Sequence, residues 1–574
     1  MEWNIHRPPA DRVRDLARTL DVPRPMAAFL AARGLDEPTS AQAFLNPRLQ
    51  DLPDPSLLPD LDIAIALILD ALAAARPIAV YGDYDADGLT ATALLTDFLR
   101  SLGGSVRTYV PHRLREGYGL NIPAVEALAR EGVKLLVTVD CGISNHEAVR
   151  RARELGLEVV ITDHHRPPER LPAARAVVNP KRPDSRFPQG DLAGVGVAFF
   201  LAGGIRKAAR EKGLCPSQGQ PELARYLGLV ALGTVADVVP LTRVNRVLVS
   251  EGLKHLARTD QPGLMALKEA SALEPGQPVT ARDVAFRLAP RLNATGRLDV
   301  PDTALELLLT QDEREARLLA GRLEELNQER KAVQERTVRQ AQEMMDDLSE
   351  IDRKFIVLAH ENWHRGVVGI AASKLADIYR RPVILLALEH GLALGSGRSI
   401  PGFSLFEALR SCQDLLDHFG GHDMAAGLGC GADRLPDLAA ALEEIAAAKL
   451  SDEALRPCLE IEAVVSDDEL TPDLGTQFAR LAPFGYGNPE PTLAVPGLTV
   501  LSCGIVGQNH LRLRLRGRSR TLEAIGFGLG GLLPDLGPSV MAALQPLASY
   551  YRGELTYGWQ VVDIKSGGDL PAPA

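Results

Sequence analysis

The stretch at residues 78–90, IAVYGDYDADGLT, limits what this chain can fold into more than any other. A short apolar run, Ile78–Tyr81, follows Pro77 and reads as a fully buried strand. Asp83, Asp85 and Asp87 then alternate, Gly88 follows, and Leu89–Leu95 opens an apolar helix. Three carboxylates within five residues repel one another unless a positive charge sits among them. A loop leaving the carboxyl end of a strand in an α/β sheet lies on the rim where such folds bind ligands. Oxygen-rich sites of this kind suit Mg²⁺ or Mn²⁺. The plain alternative is a solvated acidic turn.

The same pattern returns downstream. VRTYVP at 106–111, KLLVTVD at 134–140 and LEVVITD at 157–163 are further strand-like runs, with helical stretches at Ala124–Arg130 and His146–Leu155 between them. Strand and helix in alternation predict a parallel sheet with crossover helices over residues 76–310. Three of the four runs end in acid, at Asp83, Asp140 and Asp163, and parallel strands carry their carboxyl ends side by side. TDHH adds His164 and His165, and the apolar stretch GTVADVVPL at 233–241 contains Asp237. Singly these residues have ordinary readings: Asp140 as a helix cap, a lone histidine in the core, Asp237 in a turn. Together they bring ligand types from four separate segments to one sheet edge. Two divalent ions about 3.5–4 Å apart need several carboxylates, one of them bridging, and a histidine to fill the shell. Asp85, Asp87, Asp140, His164 and Asp237 meet that count.

The rest of the chain divides by pattern. Residues 1–75 read as a small helical cap with Pro-rich joints, residues 311–350 as a long connecting helix with an apolar seam at Leu319, Leu323 and Leu326, and residues 351–450 as a second, smaller α/β unit. Within that unit FIVLA and PVILLAL are buried strands, and a helix over 366–379 is entered through His364–Gly366. Residues 451–568 read as an all-β barrel and 569–574 as a loose tail. With 574 residues the chain exceeds what one core can organise.

A net charge of −11 excludes a uniformly basic nucleic-acid coat but leaves room for local basic grooves. Several segments supply them. PHRLREGYGLN at 111–121 carries Arg113, PRLNATGRLD at 290–299 carries Arg291, Asn293 and Arg297, and GSGRS at 395–399 presents Ser396, Arg398 and Ser399 among glycines. Arginine grips phosphate through paired hydrogen bonds. FGGHDMAAG at 419–427 offers Gly421 and His422 in a glycine-rich turn. HLRLRLRGRSR at 510–520 alternates strictly, so Leu511, Leu513 and Leu515 face a core while Arg512, Arg514 and Arg516 line the other face. FGYGNPEP at 484–491 is a loop placed to border such a groove.

Taken in order, DYDADG, VDCG, TDHH and ADVVPL resemble the four motifs of the DHH phosphoesterase superfamily, and GGHDMAAG resembles its DHHA1 accessory domain. The resemblance covers residues 75–565. It implies a parallel-sheet DHH domain, a long helix, a DHHA1 domain and an oligonucleotide-binding (OB-like) barrel. By position it implies Asp85, Asp87, Asp140, His164 and Asp237 as ligands of two Mn²⁺ or Mg²⁺ ions, with Asp140 as the bridge and Asp83 beside them. His165 would contact the scissile phosphate, His422 the substrate, and Arg113, Ser396 and Arg398 would hold a 5′ phosphate. Related pyrophosphatases have histidine where this chain has Tyr81. The implied activity is 5′→3′ exonucleolytic hydrolysis of single-stranded DNA to 5′-mononucleotides in repair and recombination, with selectivity from a cleft too narrow for a duplex. A smaller-substrate phosphodiesterase of short RNA oligomers or cyclic dinucleotides would lack the barrel, and a non-catalytic scaffold would not need the intact acids.

The N-terminus has no apolar signal core, and the best membrane candidate, Ile63–Ala75, is short and interrupted by Asp70. Six cysteines without a CxxC pair read as buried free thiols in a reducing compartment. A cytoplasmic monomer is expected, with single-stranded DNA as substrate and a single-strand-binding protein and a helicase as partners implied by the resemblance.

Overall fold

Burial decides the central element. In the computed structural model, Ile78–Gly82 and Leu135–Val139 are buried at every position, as strands covered on both faces must be. They are neighbours in an all-parallel sheet of order Val106–Tyr109, Ile78–Gly82, Leu135–Val139, Glu158–Thr162, Ala176–Val178. The last strand, only three residues long, carries too short an apolar run to stand out in the sequence. Register aligns Gly82 with Val139 and Val139 with Thr162, so the next residues, Asp83, Asp140 and Asp163, emerge side by side. Helix Ala86–Ser101 follows the first strand and packs against the apolar helices Gly194–Glu211 and Leu227–Ala236.

The structure describes residues 1–213, 222–274, 276–298, 301–347, 353–551 and 554–567, so the tail expected at 569–574 and Cys215 lie outside the described residues. The chain forms two compact units. One comprises Pro53–Val239 and Glu251–Arg456; the other comprises Met1–Leu52, Pro240–Ser250 and Pro457–Ala574.

In the first unit the long helix spans Glu313–Asp347 and buries Ala316, Ala320, Leu323 and Leu326. It leads to a mixed sheet of order His418–His422, Ala425–Gly431, Leu392–Arg398, Val383–Glu389, Ile356–His360. Only the last two strands are parallel; the three that carry GSGRS and GGHDMAAG are antiparallel hairpin strands. Helix Arg365–Tyr379 starts where expected, with the His364 ring nitrogen accepting from the Gly366 N–H.

The second unit is a closed five-stranded barrel. Leu493–Val506 pairs with both His510–Arg516 and Ser539–Tyr551, and Thr521–Gly526 and Glu554–Ser566 complete the circuit. The expected cap over residues 1–75 is not one unit. Glu2–Ile5 pairs with Cys458–Ile461, and Val13, Leu16, Phe29 and Leu30 share the barrel's core with Leu474 and Phe478. Helix Leu61–Ala73 belongs instead to the first unit, where Asp60 binds Arg182 at 2.7 Å. The FGYGNPEP loop is an internal brace: Asn488 is buried, donates to the Leu481 and Pro483 carbonyls and accepts from Arg33. Arg246, also buried, spreads its guanidinium over the carbonyls of Phe44, Arg480, Leu481 and Ala482. Cys458 and Cys503 are exposed, whereas Cys141, Cys412 and Cys430 are buried. No helix among the described residues is long and apolar enough to cross a membrane.

Candidate active site

The acidic rim is built one backbone hydrogen bond at a time. Asp85 caps helix Ala86–Ser101, accepting from the Asp87 and Gly88 N–H groups at 3.0 and 3.1 Å. The Gly88 backbone presses on Asp83, where a Cβ would come within 2.5 Å of the Asp83 carbonyl. Asp87 accepts from Gly194 and Val195 N–H at 2.6 and 2.8 Å, so the first turn of helix Gly194–Glu211 holds its carboxylate. Gly194 also lets that helix approach the rim, because a Cβ there would meet the Asp140 Cβ at 2.5 Å. Asp140 itself sits at φ +61°, a conformation that side chains other than glycine adopt at a cost, commonly at functional sites.

These residues meet around His164. Its Nε2 lies 3.0 Å from Asp140 Oδ1, 3.6 Å from Asp237 Oδ2 and 4.0 Å from Asp87 Oδ2. Ligand atoms fall into three groups, each within 4.8 Å: Asp83, Asp85 and Asp140; Asp87, His164 and Asp237; and Asp140, His164 and His165. Asp140 lies in two of them. Asp83 Oδ1, Asp140 Oδ1, Asp237 Oδ2 and His164 Nε2 are all buried without a hydrogen-bond partner among the described residues. A buried polar atom left unsatisfied costs roughly 1–3 kcal/mol, so four converging ones call for a shared partner. Carboxylate and imidazole lone pairs fit a hard or borderline divalent cation.

The electrostatics agree. Burial, then the neighbouring Asp85, pushes Asp87 up to about 7. Burial and nearby carboxylates also raise Asp83, Asp140 and Asp237 well above the ordinary carboxylate range. Burial, with His165 beside it, lowers His164 to about 3, leaving it a neutral donor of lone pairs. His165 behaves differently. Burial opposes its charge, but the hydrogen bond and the charge of Asp163 win, and its pKa is raised.

Asp163 is the positioning residue that sequence reasoning left without a role. It accepts from the N–H groups of Ile143, His164 and His165 and, at 2.8 Å, faces His165 Nδ1. Burial raises it, yet the His165 contacts bring it down to about 2. Its place at a strand end before two histidines was the available signal. Tyr118, from the PHRLREGYGLN segment, puts its hydroxyl 3.1 Å from His165 Nδ1. Gly194 and Val195 were missed too; a glycine-rich start to an apolar helix was their only trace.

Beside the rim, a cleft of about 810 Å³ is lined by Tyr84, Arg113, His165, Arg365, Ser396, Arg398, Gly421 and His422, among others. Arg398 donates to Ser396 Oγ at 2.9 Å, and Ser396 donates to the Ala426 carbonyl. Burial, then Arg113, lowers Arg398 to about 10; burial, then Arg113 and Arg398, lowers Arg297 to about 9. Three guanidiniums thus crowd together, and among the described residues none has a carboxylate ion pair. The His422 ring lies nearly parallel to His165, at 6.0 Å and 13°.

Several expected substrate contacts turn elsewhere. PRLNATGRLD is not a loop: helix Ala289–Leu298 carries it, so its side chains fan out. Arg291 is buried, bonded to the Ala270 carbonyl and ion-paired with Glu324 at 2.6 Å. Asn293 braces the acidic loop by accepting from the Ala86 N–H at 2.8 Å. Arg297 donates to the Gly366 carbonyl at 3.2 Å while standing near the cleft arginines. Ser399, past the end of its strand, turns inward and donates to the Phe403 carbonyl at 2.6 Å. Tyr81 is buried, with its hydroxyl bonded to the Gly119 carbonyl. In the barrel, Arg512, Arg514 and Arg516 are exposed and Leu511, Leu513 and Leu515 buried, as the alternation required.

Comparison with known proteins identifies this arrangement. Residues 77–234 match the DHH family N-terminal domain, 352–448 the DHHA1 domain and 461–563 the RecJ OB domain. The single-stranded-DNA-specific exonuclease RecJ of Bacillus subtilis (strain 168) is 40% identical over 542 residues, covering 94% of this chain and 67% of that protein. The chain belongs to the RecJ family. RecJ of Escherichia coli (strain K12) is 38% identical over 550 residues, covering 92% of this chain and 93% of its own. The crystal structure of RecJ from Thermus thermophilus in complex with Mn²⁺ superposes with a TM-score of 0.84 at 34% identity, over 99% of this chain and 80% of that one. A Mg²⁺ complex of the same RecJ gives 0.77.

Proposed function

We propose that this chain is a metal-dependent exonuclease that degrades single-stranded DNA from the 5′ end to 5′-mononucleotides. The observation that carries this reading is the set of four buried, unpartnered donor atoms gathered from Asp83, Asp140, His164 and Asp237. Asp85, Asp87, Asp140, His164 and Asp237 would hold two Mn²⁺ or Mg²⁺ ions, Asp140 serving both. Bound there, such ions lower the pKa of coordinated water and neutralise charge on the scissile phosphate.

The protein's own contribution is position and charge. The start of helix Gly194–Glu211 pins Asp87, and the capping geometry pins Asp85. Asp163 orients His165 and favours its charged form, in which the imidazolium would donate to a phosphate oxygen. Arg113, Ser396 and Arg398 would take the terminal 5′ phosphate in the cleft, with His422 beside His165 along the strand. A terminal phosphate seated there stops the strand from sliding further, which makes the reaction end-first. On the barrel, the exposed arginines would track the backbone of the incoming strand.

The reading extends to repair and recombination, a cytoplasmic monomer, and a single-strand-binding protein and a helicase as partners. Digestion of 5′- and 3′-labelled single strands tests it: with Mn²⁺ the 5′ label should appear first, as mononucleotide, and chelation should stop release. Release of 3′ label first, or turnover unaffected by chelation, would overturn it.

A further inference from the structure

Tyr84 occupies an unusual position in the chain: its two neighbours, Asp83 and Asp85, both belong to the acidic rim, yet its own ring reaches the arginine cluster. The Arg113 guanidinium lies 5.2 Å from the centroid of the Tyr84 ring. Arg113 comes from the Pro111–Asn121 loop and, among the described residues, has no carboxylate to fix its head group. The ring is what it rests on.

The backbone that carries the ring is held in turn. Gly296 abuts the Tyr84 peptide, with space for no more than a hydrogen: a Cβ there would stand 2.7 Å from the Tyr84 carbonyl oxygen, and it would lie 3.4 Å from the ring, at ordinary contact distance. Two residues further on, the Ala86 N–H is held by Asn293. Helix Ala289–Leu298 therefore clamps the loop on both sides of Asp85. One short segment, Asp83–Asp87, carries the acids, and the same segment carries the platform for a guanidinium of the phosphate pocket.

We infer that Tyr84 is a positioning residue for 5′-end recognition: its ring sets the place of Arg113 relative to the acidic rim, and so the spacing between the terminal phosphate and the bond cleaved. This rests on the phosphate-pocket reading above and sharpens it. The contact is of the cation–π type, so the ring matters and the hydroxyl does not.

The test is the ratio of kcat/KM for 5′-phosphorylated over 5′-hydroxyl single strands of one sequence, measured with Mn²⁺ on the full chain. A general loss of folding or metal affinity cancels from this ratio. Tyr84→Phe should keep the wild-type ratio, and Tyr84→Leu should lower it about 10-fold, mainly through KM for the phosphorylated strand. Arg113→Ala should lower it at least as far, and adding Tyr84→Leu to Arg113→Ala should lower it no further. An unchanged ratio in Tyr84→Leu, with Arg113→Ala reduced, would overturn the role of Tyr84 and leave the pocket standing. An unchanged ratio in Arg113→Ala would overturn the pocket itself. If Tyr84→Leu does not fold, Tyr84→Met, which keeps bulk without an aromatic face, is read in the same way. A reduced ratio supports the platform, and a wild-type ratio overturns it.

Discussion

Two rows of like charge, one acidic and one basic, obey opposite rules in this molecule. On the sheet edge, Asp83, Asp87 and Asp140 are buried side by side, and burial, then the charge of neighbouring carboxylates, raises their pKa values. On the barrel, Arg512, Arg514 and Arg516 stand in solvent, and a cross-strand pair, Arg512 with Glu523 at 3.6 Å, is 68% and 69% exposed on its two sides. Solvent screens the second row, so it costs the fold little and contributes little to stability. The first row is a standing cost that a proton or a bound cation relieves. A charge row that the fold tolerates for free marks a surface for transient, salt-sensitive contact. A row that the fold must strain to hold marks a centre.

The comparison can be broken at four points, from large to small. Asp140→Ala removes the carboxylate common to two ligand groups; kcat should fall by about 10³-fold or more, while single-strand binding in a gel-shift assay stays largely intact. Arg398→Ala would remove the charge-assisted hydrogen bonds proposed to hold the end phosphate, and kcat/KM on 5′-phosphorylated strands should drop about 10- to 100-fold, read by initial rates.

Stability against pH separates the rows next. Asp87 binds its proton up to about pH 7 in the folded protein but only to about 4 when unfolded. Asp83, Asp140 and Asp237 shift the same way and His164 the opposite way, so on balance the metal-free folded chain holds more protons across that window, and its stability should fall as pH rises. Calorimetry after chelation should show Tm dropping by about 5 °C from pH 5 to pH 8, and Mn²⁺ should restore more at pH 8 than at pH 6. A Tm that climbs with pH in the chelated protein would contradict the unpartnered rim. Smallest of all, replacing Arg512, Arg514 and Arg516 by alanine should leave Tm unchanged and weaken binding of long single strands by a few-fold. The slope of log K against log salt should become shallower by about 0.7 for each phosphate that no longer meets an arginine.

The rim was legible in the sequence because parallel strands convert periodicity into position. Once Ile78–Gly82 and Leu135–Val139 pair, the residues after them have no choice of neighbour. The barrel stripe was legible for the same reason, a period of two. The cleft was less so. Ser396 and Arg398 share one face of a strand, but Ser399 lies one step past its end and turns into the core. Arg291, Asn293 and Arg297 looked like a basic loop, yet on a helix each step turns the side chain by about 100°, so they serve three different neighbours. The N-terminal helices showed an apolar face without saying what would cover it, and its partner lies more than 400 residues away in sequence.

The central claim is that four distant segments form a two-cation centre joined through Asp140. Manganese binding to the full chain at about pH 7.5, by titration calorimetry with electron paramagnetic resonance, tests it most directly. The account predicts two Mn²⁺ per wild-type chain with a spin-coupled spectrum, and loss of the coupling in Asp140→Ala. Absence of binding by the wild type, or a coupled pair that survives Asp140→Ala, would contradict it.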